Sequence, residues 1–261
     1  MTGTGDVQGA LWGAAARDWA ELAEPLQIPL FEVALAALEV GAGTRLLDAG
    51  CGAGLALVLA AQRGATVAGL DASAALLEIA RERLPDADLR QGDLEALPYA
   101  DGSFDAVTAF NSVQYAGNPA AALREIRRVV KPGARVAVAT WGRREQCEMR
   151  AVLSAVDSLL PAPPAGTGGP FALADPGALE ALVESAGLMP ETAIDVPTPY
   201  AHPDLDSAVR ARLASGPAQR AIQSVGFAAT QQAIARACEA SRRPDGSVTF
   251  ANVFKVLIAR A

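Results

Sequence analysis

Histidine and cysteine are scarce in this chain of 261 residues, which has one histidine, His202, and three cysteines, Cys51, Cys147 and Cys238. The cysteines are odd in number and far apart, so the sequence indicates no disulfide framework. A structural zinc site needs Cys and His side chains at paired spacings, and the sequence has none. We therefore expect neither disulfide bonds nor a metal site.

Long apolar runs and clusters of basic residues are also missing. No apolar run approaches the roughly 20 residues of a transmembrane helix, and residues 1–9 are polar and glycine-rich, without the basic-then-apolar pattern of a signal peptide. We interpret residues 1–9 as a flexible leader of a cytoplasmic protein. The formal net charge is −7, whereas a nucleic-acid-binding protein usually presents a basic face. We therefore expect a small-molecule substrate, no nucleic acid and no membrane, in a monomer or a homodimer.

Strand-like and helix-like segments alternate through the N-terminal half, which is typical of an α/β fold with a parallel sheet. The apolar patterns predict strands at residues 44–48, 66–70, 87–91, 104–110, 135–141, 192–196 and 248–259. They predict helices at residues 55–62, 74–84, 120–130, 144–160, 175–186 and 206–240, the last with breaks at Gly216 and Gly226. Ser73 suits the N-cap of the second helix. We also predict a turn at residues 131–133 and a mobile loop at residues 161–170, which are rich in Pro, Gly and Ala.

The sequence LLDAGCGAG at residues 46–54 is the most informative segment of the chain. Two apolar residues close a strand, Asp48 follows, and Gly50, Gly52 and Gly54 stand at every second position before a predicted helix. Glycine permits a positive φ and lets a ligand touch the backbone. Such a turn also presents free amide groups at a helix N-terminus, which suit an anionic group. We therefore predict a cofactor site at the first strand-to-helix crossover of an open sheet.

The spacing of these glycines narrows the type of cofactor. A dinucleotide fingerprint reads G-x-G-x-x-G, but Leu55 stands where the last glycine would be. The carboxylate of Asp48 would repel a pyrophosphate and attract an ammonium group. A ligand with an amino and a carboxylate group fits an acid followed by bare amides, and the methionine end of S-adenosylmethionine (SAM) is such a ligand. The alternative is a glycine-rich turn that binds no ligand.

Four segments taken together resemble the class I SAM-dependent methyltransferases, in the branch of the ubiquinone/menaquinone and many small-molecule methyltransferases. They read LLDAGCGAG, VAGLDAS, QGDLEALPYADGSFDAV and REIRRVVKPGARVAVATW, within residues 44–142. The resemblance implies SAM as the cofactor and a doubly wound, mostly parallel, seven-stranded Rossmann-like sheet with an antiparallel last strand and helical insertions over the substrate. It divides the chain into an N-terminal helical lid (1–40), a SAM-binding core (41–142), a helical substrate-covering region with strand six (143–246) and the last strand of the core sheet (247–261).

The resemblance also assigns roles to individual residues. Asp71 would accept hydrogen bonds from both ribose hydroxyls, because the two oxygens of a carboxylate can serve two donors, and Asp93 would accept one from the adenine amino group. The alternatives are a helix N-terminal acid at Asp71 and a turn residue at Asp93. The complete set of expected cofactor-binding residues is Asp48, Gly50, Cys51, Gly52, Asp71, Ala72, Leu76, Gly92, Asp93, Leu94, Asn111 and Trp19.

The three tryptophans have two interpretations each. Trp12 and Trp19 are seven residues apart on a predicted leading helix, and so lie on nearly the same face. In the resembled family such a helix often closes over the cofactor, and an aromatic face attracts a sulfonium; packing in the core explains both residues equally well. Trp141 either touches the substrate or fills the core, and we favour the core.

The sequence contains no convincing catalytic residue. Methyl transfer from a sulfonium is an in-line displacement that depends mainly on orientation, and a base is needed only if an O, N or C nucleophile must lose a proton. An unperturbed histidine titrates near neutral pH and could act as a base, but a lone histidine beside Pro203 is more often a loop residue. The polar residues that would face the substrate are Asn111, Gln114, Tyr115, Tyr200 and His202. Two other functions stay open: a nicotinamide-dependent oxidoreductase, and a SAM-binding protein that does not methylate.

Overall fold

The computed structural model describes residues 4–161 and 169–261. Nine strands are present in these residues, at β1 (Arg45–Ala49), β2 (Thr66–Asp71), β3 (Asp88–Gln91), β4 (Phe104–Phe110), β5 (Val130–Trp141), β6 (Met189–Pro197), β7 (Tyr200–His202), β8 (Val248–Phe250) and β9 (Val253–Arg260). Seven of them form one sheet in the order β3-β2-β1-β4-β5-β9-β6, and β7 pairs with β8 in a separate ribbon. Only β9 runs antiparallel to its neighbours in the large sheet. The predicted fold class is thereby confirmed.

Eleven α-helices accompany the strands in the described residues. They are α1 (Gly5–Gly13), α2 (Ala16–Asp18), α3 (Ile28–Ala37), α4 (Leu55–Gln62), α5 (Ala74–Arg83), α6 (Pro119–Val129), α7 (Arg150–Asp157), α8 (Ala178–Ser185), α9 (Leu205–Leu213), α10 (Gly216–Val225) and α11 (Phe227–Glu239). A π-helical turn (Trp19–Ala23) and a 3₁₀ turn (Glu24–Gln27) join α2 to α3. None of the described helices is long and apolar enough to cross a membrane.

Alternation along the central strand β1 places helices on both faces of the sheet. Successive strand residues point to opposite faces, and the neighbours Leu46 and Leu47 accordingly join different apolar clusters. Leu46 packs with residues of α3, α4 and α7, whereas Leu47 packs with residues of α6 and α8. The sheet is therefore buried on both sides, as its nearly continuous apolar strands require.

Local capping explains where several helices begin. The Ser73 hydroxyl accepts a hydrogen bond from the backbone N–H of Leu76 at 3.3 Å, as predicted for the start of α5. The Asn118 side chain does the same for Ala121 at 3.1 Å at the start of α6, where proline occupies the first helical position. These caps fix α5 and α6 close to their predicted bounds.

The structure corrects four of the predicted elements. Of the presumed flexible leader, residues 5–9 belong to α1, and residues 1–3 lie outside the described part of the chain. The predicted helix 144–160 is a 3₁₀ turn followed by the shorter α7, and the last strand is divided into β8 and β9. The predicted turn 131–133 lies within β5, where the pairing with β4 shifts register. Of the loop expected at 161–170, residues 162–168 are outside the described residues.

Candidate functional site

A cavity of about 940 Å³, part of it open to solvent, lies at the carboxyl ends of β1, β2 and β4. This is the edge of an open α/β sheet where ligands bind. The cavity brings together all twelve expected cofactor-binding residues, which are Asp48, Gly50, Cys51, Gly52, Asp71, Ala72, Leu76, Gly92, Asp93, Leu94, Asn111 and Trp19.

The glycine turn between β1 and α4 forms the floor of this cavity. Gly50 and Gly52 have φ angles of +89° and +54°, a region that side-chain-bearing residues rarely adopt. A Cβ on Gly50 would overlap the side chain of Ser112, so this position has no room for one. A Cβ on Gly52 would face the carboxylate of Glu24 and the indole of Trp19, each 3.8 Å away. The turn therefore requires glycine at position 50 for lack of space, whereas Gly52 leaves its backbone accessible from the cavity.

Asp71 ends β2 and is tied to the same turn. Its Oδ2 accepts a hydrogen bond from the backbone N–H of Gly52, and its Oδ1 accepts one from Ser73, both at 2.8 Å. Burial raises the pKa of the carboxyl, and the backbone hydrogen bonds oppose this rise. A carboxylate has about four acceptor positions, so Asp71 retains acceptor capacity for a ligand.

Asp93 follows β3 and connects the sheet to the N-terminal helix. Its Oδ1 accepts a hydrogen bond from the backbone N–H of Glu95 at 2.9 Å, and its Oδ2 accepts one from Gly5 at 3.1 Å. Gly5 is the first residue of α1, whose free amides attract a carboxylate. Asp93 thus lines the cavity and also anchors the helix that covers it.

Asp48 is a buried acid without a cationic partner among the described residues. It is 2% exposed, and its Oδ1 accepts a hydrogen bond from the Thr108 hydroxyl at 2.8 Å. Burial raises the pKa of Asp48 from 3.8 to about 7, and the negative charges of Asp71 and Glu24 add to the rise, while the Thr108 hydrogen bond opposes it. A cationic group in the cavity would therefore stabilise the ionised form.

Sequence reasoning missed several residues that line the cavity, of which Glu24 and Gln27 are the most informative. Glu24 is buried, with its Oε2 accepting a hydrogen bond from the Arg83 guanidinium at 2.5 Å and its Oε1 accepting one from the backbone N–H of Leu55 at 3.2 Å. Gln27 accepts a hydrogen bond from the Asn111 amide at 3.2 Å. Both follow from tertiary packing of the irregular segment after Trp19, and no sequence motif marks them.

The packing of α1 against the cavity did have a signal in the sequence. Gly5, Gly9 and Gly13 recur every fourth residue and so lie on one face of the helix. A Cβ on Gly9 would overlap the carbonyl of Ala72, and a Cβ on Gly13 would approach the Ser73 hydroxyl to 2.6 Å. The glycines therefore allow α1 to lie directly on the backbone that follows β2.

The N-terminal tryptophans both line the cavity, but they do not belong to one continuous helix. Trp12 lies in α1, whereas Trp19 begins the π-helical turn. Their rings meet edge to face with centroids 4.8 Å apart, and Trp12 meets Tyr115 in the same way at 5.6 Å. The three rings form one aromatic wall.

This aromatic wall separates the first cavity from a second one of about 620 Å³, part of it open to solvent. Residues shared by both cavities are Trp12, Trp19, Gln27, Asn111 and Tyr115. The second cavity is further lined by Trp141, Tyr200 and Arg212. Trp141 packs in the core as favoured, with its ring 4.4 Å from that of Phe254, and its contact with a substrate stays a prediction.

The candidate polar residues are distributed unequally. Asn111 and Tyr115 line both cavities, and Asn111 has a positive φ of +48°. Gln114 is buried and donates a hydrogen bond to Asn111 at 3.3 Å, outside the lining of either cavity. His202 also lies outside both linings, in strand β7 rather than in a loop. Burial and the nearby charge of Arg212 lower the pKa of His202 to about 4, so it is neutral at physiological pH.

Comparison with known proteins agrees with this arrangement. Residues 47–138 match the family model described as a methyltransferase domain. The ubiquinone biosynthesis O-methyltransferase of Alkalilimnicola ehrlichii is 38% identical over 148 residues, covering 55% of this chain and 58% of that protein. The demethylmenaquinone methyltransferase of Renibacterium salmoninarum is 41% identical over 99 residues, covering 38% of this chain and 42% of that protein.

The chain spans about half the length of the curated relatives that it matches. Among solved structures, the crystal structure of the [4+2]-cyclase SpnF superposes with a TM-score of 0.59 at 24% sequence identity, covering 88% of this chain and 80% of that one. At this level of identity the likeness concerns the fold.

Proposed function

We propose that this chain, which belongs to the methyltransferases through its domain at residues 47–138, binds SAM and transfers the methyl group to a small organic acceptor. The observation that carries this proposal is the meeting of the glycine turn, Asp71 and Asp93 in one cavity that adjoins a second. The O-methyltransferase and quinone-methyltransferase names of the relatives support the same activity.

The lining of the first cavity fits the parts of SAM. The free acceptor positions of Asp71 suit the ribose hydroxyls, and Asp93 suits the adenine amino group between the apolar side chains of Leu76 and Leu94. Ala72, Gly92 and Cys51 complete this lining as small residues.

At the other end of the cavity, Asp48 suits the ammonium group of the methionine moiety. Its carboxylate is buried without a cationic partner among the residues described, and Gly50 and Gly52 leave backbone free for the carboxylate of the same moiety. Trp19 and Asn111 lie where the two cavities meet, and an indole face attracts a sulfonium.

The bound cofactor supplies an activated methyl group, and the residues of the chain orient the acceptor toward it. The aromatic wall lines the junction of the cavities, and Asn111 is held there by hydrogen bonds to Gln27 and Gln114. Orientation of this kind contributes several kcal/mol to a displacement. None of the described side chains shared by the two cavities is a base at neutral pH. The proposed mechanism therefore depends on positioning, and the methyl group is transferred to an O, N or C atom of the acceptor.

The parts of the chain divide this work in the proposal. Residues 1–40 act as the lid and residues 41–142 bind SAM. Residues 143–246 cover the acceptor, and residues 247–261 complete the sheet. The contact of Gly5 with Asp93 and the placement of Arg212 in the second cavity support this division.

A calorimetric titration with S-adenosylhomocysteine (SAH) and with NAD tests the cofactor. We expect micromolar binding of SAH and none of NAD, because Leu55 and the buried Asp48 disfavour a pyrophosphate. Transfer of labelled methyl groups to a panel of metabolites then separates a methyltransferase from a SAM-binding protein with other chemistry. A folded protein that ignores SAH at millimolar concentration would contradict the proposal.

A further inference from the structure

Arg212 places a buried guanidinium in the second cavity. It lies in α9, is 7% exposed and lines this cavity together with Tyr200. Its Nε and Nη2 atoms have no hydrogen-bond partner. None of the ion pairs in the described residues includes Arg212, and residues 1–3 and 162–168 contain no Asp or Glu. The chain therefore offers this charge no carboxylate.

The surroundings of Arg212 are otherwise neutral. The guanidinium carbon lies 4.9 Å from the centroid of the Tyr200 ring, and burial raises the pKa of that phenol, so it stays protonated. His202 is neutral as well, with its pKa lowered to about 4. Cys238 is a buried thiol whose pKa is raised to about 11. Burial lowers the pKa of Arg212, but a guanidinium keeps its proton in proteins.

A buried cation without a partner is costly, because its hydration is lost and no opposite charge replaces it. Stacking on an aromatic ring offsets only part of this loss. The unused donors Nε and Nη2 lie on one edge of the guanidinium, which is the pair of donors that binds a carboxylate through two parallel hydrogen bonds. An anion bound in the second cavity beside Arg212 would supply the missing partner.

We propose that Arg212 binds the carboxylate of an apolar organic acid, and that this acid is the methyl acceptor. This inference rests on the proposed function and specifies its substrate class. The remaining lining supports an apolar body for the acid, since it consists largely of aromatic rings and aliphatic side chains, including Trp141, Met149 and Val152. Arg212 lines the second cavity but not the first, so the acid is anchored away from the cofactor cavity and reacts through another atom.

The charge of the site favours a carboxylate over a phosphate monoester. Arg212 is the only cationic side chain among the described residues that line the second cavity. One guanidinium neutralises a single negative charge, whereas a phosphate monoester carries about 1.5 to 2 negative charges at pH 7. The second charge would stay uncompensated beside apolar walls. A monoanionic carboxylate leaves no such excess.

Matched acids and amides test this proposal, because each pair differs in charge and hardly in shape. We would titrate the SAH-saturated protein with 4-hydroxybenzoate, indole-3-acetate and octanoate, and with the corresponding amides, at 150 mM salt. At least one acid should bind ten-fold or more tightly than its amide. Arg212→Met should remove this preference and leave SAH affinity unchanged, since Arg212 does not line the cofactor cavity.

Two further variants keep the test decisive. Arg220→Met removes the same charge from an exposed position on the adjoining helix α10, and it should retain the preference for the acid. If Arg212→Met does not fold, Arg212→Lys keeps the charge without the planar pair of donors, and the preference should fall at least three-fold.

The outcomes separate the two proposals. SAH binding without any acid preference in the wild-type protein would overturn the role of Arg212 and leave the proposed function standing. A preference that persists unchanged in the Arg212 variants would overturn it as well. Failure of SAH to bind would contradict the proposed function, and the acid preference would then be measured on the unliganded protein.

Discussion

At the residue scale, four acids line the cavity, Glu24, Asp48, Asp71 and Asp93, and among the described residues only Glu24 has a cationic partner. Glu24 is paired with Arg83 at 2.5 Å, whereas Asp48 and Asp71 face the cavity with neutral hydrogen-bond donors only. The negative charges of Asp71 and Glu24 raise the pKa of Asp48, because like charges disfavour ionisation. The unliganded site therefore stores unfavourable electrostatic energy that a cationic ligand would relieve.

Asp48 should make the stability of the unliganded protein depend on pH. Its pKa is raised from 3.8 to about 7, so its favourable contribution is complete below about pH 4 and is lost as pH rises through 7. Asp48→Asn removes the buried charge and should stabilise the protein at pH 8.5 by roughly 1–3 kcal/mol, within the limit of about 1.4 kcal/mol per pKa unit. Urea unfolding at pH 5.5 and 8.5 measures the difference in free energy of unfolding between the variant and the wild type, which should be smaller at pH 5.5.

Asp105, whose pKa is lowered instead of raised, provides the control for this experiment. The ion pair with Lys131 lowers the pKa of Asp105, so its contribution is present above the unfolded pKa and is lost as pH falls. Asp105→Asn should therefore destabilise at pH 8.5. If Asp48→Asn also destabilises the protein at pH 8.5, the ionised carboxylate of Asp48 does not lower the free energy of unfolding.

The same titration should control cofactor affinity. An ammonium group gains most from Asp48 when the carboxyl is ionised, so the affinity for SAH should increase as pH rises from 6 to 8. Asp48→Asn should bind SAH more weakly at pH 8 and show little change over this range. Calorimetry at pH 6, 7 and 8 measures both. A wild-type affinity that stays constant across this range would argue against contact between Asp48 and the ammonium group.

Asp71→Asn should weaken SAH binding by about 1–3 kcal/mol, the scale of hydrogen bonds to a charged group. The variant keeps a side-chain oxygen for only one of the two backbone amides, Gly52 or Ser73, which bond to different oxygens of Asp71. Calorimetry with SAH gives the change, and thermal unfolding without ligand reports on the turn. Asp88→Asn, at an exposed carboxylate of β3 paired with Arg90, is the matched control and should bind SAH normally. An unchanged dissociation constant in Asp71→Asn would refute the ribose assignment.

At the element scale, the position of α1 depends on the absence of side chains along one face. Gly9→Val introduces a Cβ that overlaps the Ala72 carbonyl, and backbone cannot move aside cheaply. We expect α1 to shift from the cavity and SAH affinity to fall at least five-fold. Ala10→Val places the same side chain on the exposed face of the same helix and should change little. Valine has a higher helix propensity than glycine and a lower one than alanine, so a loss in Gly9→Val does not come from propensity. Equal effects of the two substitutions would argue against the contact between α1 and Ala72.

The elements also show what the sequence can and cannot reveal. The glycine turn and the acids after β2 and β3 were predictable, because local backbone requirements leave a pattern at fixed spacing. The position of Arg212 and the burial of Glu24 were not predictable, since both depend on segments that meet only in the folded chain. The predicted leader failed for a different reason: Gly5 and Gly9 are poor helix formers in isolation, and α1 gains its stability from packing on the residues after β2.

At the scale of the whole molecule, two distant parts of the sequence close the cavities together. Helices α1 and α10 are in contact, and Gly216 of α10 lies so close to the indole of Trp12 that a Cβ there would approach it to 2.7 Å. An ion pair of 2.7 Å between Asp18 and Arg210 joins the same two parts. The cover thus combines the N-terminal helices with α9 and α10, whereas α8 packs with α6 on the other side of the sheet.

Ligand binding should therefore stabilise the cover as a unit. SAH at 100 times its dissociation constant adds about 2.7 kcal/mol to stability, which corresponds to a rise in Tm of roughly 5–10 °C for a protein of this size. The backbone N–H of Gly5 donates a hydrogen bond to Asp93, and α1 contacts α10. Ligand binding should therefore slow amide hydrogen exchange in both α1 and α10. The amides of α8 should respond less, since α8 contacts neither cavity. Slowing confined to the glycine turn and the residues after β2 would show that α1 and α10 do not respond to the ligand together.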